Sequence, residues 1–186
     1  MKLFLSLLLL SSGIFAEPNF KKIYLFGEIT DESAKEIVST IMECDKNFLL
    51  FINSPGGSVD AGNSIINAMQ WCERDIYTIA NGAVYSMAFH VFLYGKKRFA
   101  MPNSVFMFHD TKYDLSSYSL VDIEDFFEIE REQRELLNRD VVKKTKIPNK
   151  VIHKYVKEKR DLYLNTSKCL NYKIINKVIT KENELF

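Results

Sequence analysis

A glycine loop, a serine and a histidine in this chain are of the types, and in the local settings, that acyl-transfer chemistry uses. In Ser54-Pro55-Gly56-Gly57-Ser58 two adjacent glycines follow an apolar run. Glycine tolerates positive φ, so such a turn can aim backbone N–H groups at a bound oxyanion. An ordinary strand-to-helix turn explains the same residues. Ser86 stands in Gly82-Ala83-Val84-Tyr85-Ser86-Met87, between a strand-like and a helix-like segment. A hydroxyl there emerges where a helix N-terminus offers partial positive charge, although a helix-capping serine, the favoured reading of this position taken alone, explains it without chemistry. His109 closes the run Val105 to Phe108, where it can act as a base or simply sit at a sheet edge. His90 lies four residues beyond Ser86 on the same helical face and reads as a packing residue. Lys96 and Lys97 raise a serine–lysine dyad as an alternative. Asp110 adjoins His109 but points to the opposite side if the strand continues, and His153, among lysines, reads as solvated.

These residues need elements to hold them. Lys22 to Gly27 has strand character, and Ala34, Ile37, Val38, Ile41 and Met42 recur at helical spacing. The continuous apolar run Phe48 to Ile52 predicts a buried strand ending at the glycine loop, followed by a helix with Ile65, Ala68, Met69 and Cys72 inward. Ile76 to Ala80 predicts a third strand that stops at Asn81-Gly82. A helix from Ser86 to about Leu93 and short strands at 98–101 and 105–108 follow, then one long helix from Val121 to Lys144 and a shorter one from Val151 to Glu158. The alternation of strand and helix implies parallel crossovers and an α/β core. The acidic start and lysine-rich end of the long helix complement its dipole, and are also what a solvated face looks like.

The whole sequence of 186 residues, 47% hydrophobic, fits one domain with its own core. Lys and Arg number 25 against 24 acids, which leaves no excess charge for a phosphate backbone and argues against a nucleic-acid partner. Lys2, an apolar stretch from Leu3 to Leu10 and small residues up to Ala16 follow the order of a secretory signal, too short for a bilayer span. Residues 1–16 are therefore expected to be a signal, cleaved after Ala16 or kept as an anchor. The folded domain is expected over 17–186, in the periplasm or secreted. Cys44, Cys72 and Cys169 lack metal or redox spacing and read as free thiols, and no metal or other cofactor is expected. Asn165-Thr166-Ser167 matches a glycosylation sequon and is read as chance.

Taken together, Ile52 to Gly62, Gly82 to Met87, Gly95 to Ser104 and Met107-Phe108-His109 resemble, in order and nearly in spacing, the Clp-type serine peptidases. Glu158 to Leu164 resembles the family segment carrying its triad aspartate, so the likeness runs from about Ile23 to Ile179. The resemblance implies the ClpP/crotonase-like α/β fold, a superhelical ββα spiral with a protruding long handle helix. It implies a serine endopeptidase with Ser86 as nucleophile, His109 as base and Asp161 as orienting carboxylate. It also implies an oxyanion hole from the backbone of Gly57 and Met87, and substrate contacts at Gly56, Ser58 and Val59. In the family the handle helix interlocks two heptameric rings, so a homo-oligomeric ring acting on peptides or unfolded proteins is expected.

The pattern departs from the family in places. Asp110-Thr111-Lys112-Tyr113 stands where a Gln-Pro and a glycine-bearing stretch help hold extended substrate by strand addition. Tyr85 is bulkier than the small residue expected before the serine, and would narrow or crowd the site. Only about Glu17 to Lys21 separate the cleavage site from the first strand, where the family has axial loops that engage an ATP-driven unfoldase. With export and the absence of a P-loop motif, the expectation is an enzyme working without a Clp ATPase. A crotonase-type acyl-CoA enzyme, and an assembly protein whose site has decayed, are the alternatives.

Overall fold

The computed structural model describes residues 20–111 and 120–185. The signal-like segment and Lys112-Tyr113 fall outside them. The chain runs β1 (Phe20–Phe26), α1 (Asp31–Glu43), β2 (Asn47–Ser54), α2 (Val59–Trp71), β3 (Ile76–Tyr85), α3 (Met87–Phe92), β4 (Lys97–Ala100) and β5 (Val105–Phe108). It continues α4 (Leu120–Lys144), α5 (Asn149–Lys157), β6 (Leu162–Asn165), α6 (Thr166–Asn171) and β7 (Lys177–Val178), with a closing 3₁₀ turn at Glu182–Leu185. This is the mixed α/β architecture expected. One sheet holds the strands in the order β1-β2-β3-β4-β7, and β5 pairs with β3 and with β6. Every pairing is parallel except β5 with β6.

The apolar run in β2 reflects a strand covered on both faces, as parallel strands usually are. Phe48, Leu50 and Ile52 enter the main core with Ile37 and Ile41 of α1 and Ile65 and Met69 of α2. Leu49, one residue out of phase, joins Tyr77, Ile79, Phe99, Ile179 and Leu185 in a second cluster on the other face. Helix α1 starts at a capping box, in which Thr30 Oγ1 accepts from Ser33 N and Ser33 Oγ accepts from Thr30 N. The three thiols are free, as their odd number suggests, with Cys72 and Cys169 buried and Cys44 half-buried.

Strand β3 does not stop at Asn81-Gly82 as its composition predicts, but bends there and continues. While β2 advances from Ile52 to Ser54, β3 advances from Ala80 to Val84, so β3 carries extra residues in an irregular step. Gly82, at φ 137°, occupies the bend, where a Cβ would come within 2.5 Å of Asn53 Oδ1. The displaced backbone is satisfied by side chains: Ala83 N donates to Asn53 Oδ1 and Gly82 N to Ser104 Oγ, which itself donates to Ala80 O. Before the bend β3 pairs with β4, and after it with β5. That change of neighbour brings the end of β3 beside the end of β5.

Candidate active site

Ser86 follows the last residue of β3. Tyr85 lies opposite Met107 of β5, and Ser86 N donates to Met107 O at 2.9 Å, so Ser86 and His109 emerge at the same end of adjacent strands. The chain then turns sharply into α3, with Ser86 at φ 53° and ψ −126°. A strained strand-to-helix turn of this kind lifts a side chain clear of the sheet. Ser86 occupies the N-cap position, yet its hydroxyl makes no capping bond. It lies 2.6 Å from His109 Nε2 instead.

The antiparallel register of β5 with β6 pairs Phe108 with Leu162, so His109 and Asp161 are the next residues facing each other beyond the ladder. His109 Nδ1 is 3.5 Å from Asp161 Oδ1, within ion-pair reach and longer than a tight N–H···O bond. Their side chains are 14% and 33% exposed, so the link is shielded from water without being sealed. Strand β6 was absent from the sequence reading, which placed Asp161 by resemblance alone. The chemistry open to this arrangement is proton transfer from the serine hydroxyl to the imidazole, with the carboxylate steadying the resulting cation.

Ser86, Met87, His90, His109, Gly57, Val59, Thr111 and Leu137 line one cleft of about 190 Å³. The amides flanking Gly57 are spent: Gly56 N donates to Ser54 Oγ and Ser58 N to Ile29 O. Met87 opens α3, where the first N–H groups have no helical carbonyl to meet. Gly56 (φ 94°) and Gly57 (φ 147°) both adopt conformations that suit glycine. A Cβ on Gly56 would stand 2.7 Å from Ser86 Cβ, and one on Gly57 2.3 Å from Ile29 O. Of the residues assigned to substrate, Val59 borders the cleft. Gly56 lies against Ser86, and Ser58 caps α2 by accepting from Ala61 N.

The other candidates sit elsewhere. Lys96 pairs with Asp75 at 2.6 Å and Lys97 lies over the Tyr77 ring, both at the start of β4. Asp110 turns to Arg134 of α4 at 3.6 Å. His153 is exposed on α5. Tyr85 rests edge-on against Tyr163 and is not among the residues that line the cleft. Asn165 spends its side chain capping α6. His90 is the residue whose place the sequence reading missed, since it borders the cleft as well as packing. Burial pushes its pKa down to about 4, with Asp140 pulling up and His109 pushing down. Its spacing of one helical turn from Ser86 was the available signal.

A family model described as Clp protease matches residues 18–182. The ATP-dependent Clp protease proteolytic subunit of Carsonella ruddii (strain PV) is 34% identical over 170 residues, spanning 86% of this chain and 84% of that protein.

Proposed function

Because this chain belongs to the Clp protease family and is thereby a serine-type peptidase, we propose that it is an endopeptidase whose nucleophile is Ser86, activated by His109 with Asp161 behind it. The observation that carries the reading is the 2.6 Å approach of the Ser86 hydroxyl to His109 Nε2, at a position where a structural serine would cap its helix. His109 takes the hydroxyl proton as Ser86 Oγ attacks the scissile carbonyl, and returns it to the leaving amine. Asp161 holds the imidazole in the tautomer that leaves Nε2 free to accept. The N–H groups of Gly57 and Met87 receive the oxyanion, where a single lost donor costs roughly 10²- to 10³-fold. Water then releases the acyl group from Ser86 by the same route. An acyl-CoA activity has no support once the family is known.

The substrates in this reading are peptides and unfolded chains, which can present an extended backbone to a narrow cleft. The relay consumes no nucleotide, and we extend the reading to an exported enzyme, assembled as a homo-oligomeric ring, that works without a Clp ATPase. Export is supported by the order of charge, apolar run and small residues at 1–16. The relative's name includes ATP dependence.

Hydrolysis of short fluorogenic peptides, with and without ATP, tests these points together. Ser86→Ala and His109→Ala should each lower kcat by roughly 10³-fold or more, and Asp161→Asn should also lower it severely. Wild-type turnover of peptides and of an unfolded protein should not rise when a Clp ATPase is added together with ATP. Variants that retain wild-type turnover would refute the assignment, and a chain without activity would support the decayed alternative. N-terminal sequencing of the exported protein should begin at Glu17.

A further inference from the structure

His90 sits four residues along the chain from Ser86, a helical rise of about 6 Å, and its ring forms part of the cleft wall. The residue is only 6% exposed. Phe89 and Phe108 meet the ring edge-on, with centroids 6.1 and 6.0 Å away. Its Nδ1 is enclosed and has no hydrogen-bond partner, and among the described residues nothing bonds to Nε2 either. A buried imidazole with Nδ1 enclosed and unpaired, and Nε2 accessible but unbonded, is a poor core residue, since leucine or phenylalanine would fill the volume without the desolvation cost. Burial keeps the ring neutral at ordinary pH, so it carries one proton. An enclosed acceptor without a partner is better tolerated than an enclosed N–H without one, which places that proton on Nε2, toward the cleft.

We propose that His90 is a specificity-determining residue, its Nε2–H reaching a substrate side chain at P1 that ends in an uncharged hydrogen-bond acceptor, as glutamine does. The P1 side chain leaves the backbone next to the carbonyl that Ser86 attacks, so the cleft beside Ser86 is the space it enters. Val59, Met87 and Leu137 offer apolar wall for its methylene groups, and His90 offers the polar contact. A carboxylate at the tip is disfavoured, because the charge of Asp140 already acts on His90. A site built around a hydrogen bond discriminates against analogues that lack it.

This inference rests on the peptidase reading, and the two fail separately. Two fluorogenic peptides that differ only in Gln or Met at P1, side chains of similar length, are compared by kcat/KM in wild type, His90→Leu and His90→Phe. Wild type should favour Gln about five- to tenfold, the effect of one neutral hydrogen bond, and the Gln-to-Met ratio should fall by that factor in either variant that folds. Wild type favouring Met, or a ratio unmoved in an active variant, overturns the role of His90 while leaving the peptidase intact. If wild type cleaves neither peptide above the level of Ser86→Ala, the peptidase reading falls, and this inference with it.

Discussion

Ser86 holds a backbone conformation, φ 53°, that residues with a side chain seldom adopt, at a cost on the order of 1–3 kcal/mol. It is kept there by the bond from its N–H to Met107 O and by Gly56 packed directly beneath it. Gly56→Ala would press a methyl group on Ser86 Cβ, Tyr85 O and Met87 N together. Peptide hydrolysis by that variant should fall at least about 10²-fold, as a small misplacement of a reacting group does, while circular dichroism still shows the folded α/β signature. His90 makes a separate prediction about stability. It titrates at about 4 in the fold and near 6.5 when exposed, so the unfolded chain binds the proton first as pH falls. The stability it leaves intact above pH 6.5 is therefore lost progressively as pH drops toward 4, by an amount on the order of 3 kcal/mol. Urea midpoints measured across that window should decline less steeply for His90→Leu than for wild type. Residue types alone marked Ser86, His109 and the glycine loop as capable, but each, taken singly, read more readily as structural. Only their order along the chain, matched to a family, separated the readings. The environment of His90 was illegible, because whether a ring nitrogen finds a partner depends on groups brought in from other elements.

The elements place these groups by register. The step in β3 at Gly82 hands the strand from β4 to β5, and the antiparallel pairing of β5 with β6 sets Asp161 opposite His109. Both features escaped the sequence. Asn81-Gly82 carries a turn signal, and only Asn53 and Ser104, distant along the chain, turn it into a bend within a strand. Strand β6 has four residues, too few for its alternation of buried and exposed positions to stand out. The longer helices, such as α1, α2 and α4, were legible because their apolar spacing repeats, and β5, as short as β6, because all four of its residues are apolar. Another tie is Arg98 in β4, half-buried and, among the described residues, without a carboxylate partner. Its guanidinium donates to the carbonyls of Leu93, Lys144, Lys173 and Ile174, joining the ends of α3 and α4 to the segment after α6. Carbonyls at helix C-termini carry partial negative charge, which suits a cation there. Arg98→Ala should cost about 3 kcal/mol in a urea titration by orphaning several of these carbonyls. Arg98→Lys should recover only part of it, since a single ammonium cannot reach as many directions.

At the scale of the molecule, the 25-residue α4, about 37 Å long, leaves several apolar side chains in water. Phe127, Ile129, Leu136 and Val142 are exposed on it, an arrangement that fits the proposed ring, in which a second copy would cover them. Ile129→Asp with Leu136→Asp should reduce the sedimentation coefficient if that assembly forms through α4, and leave it unchanged if assembly uses another surface. The inner end of the same helix contributes Leu137 to the cleft, so assembly and catalysis share an element. Catalysis in this molecule depends on an activated hydroxyl at one position. Reaction with a fluorophosphonate, followed by peptide mapping in a mass spectrometer, reads that property without any assumption about substrate. The adduct should map to Ser86 and its rate of formation should collapse in His109→Ala; an adduct on another residue, or equal labelling of the two proteins, would contradict the account.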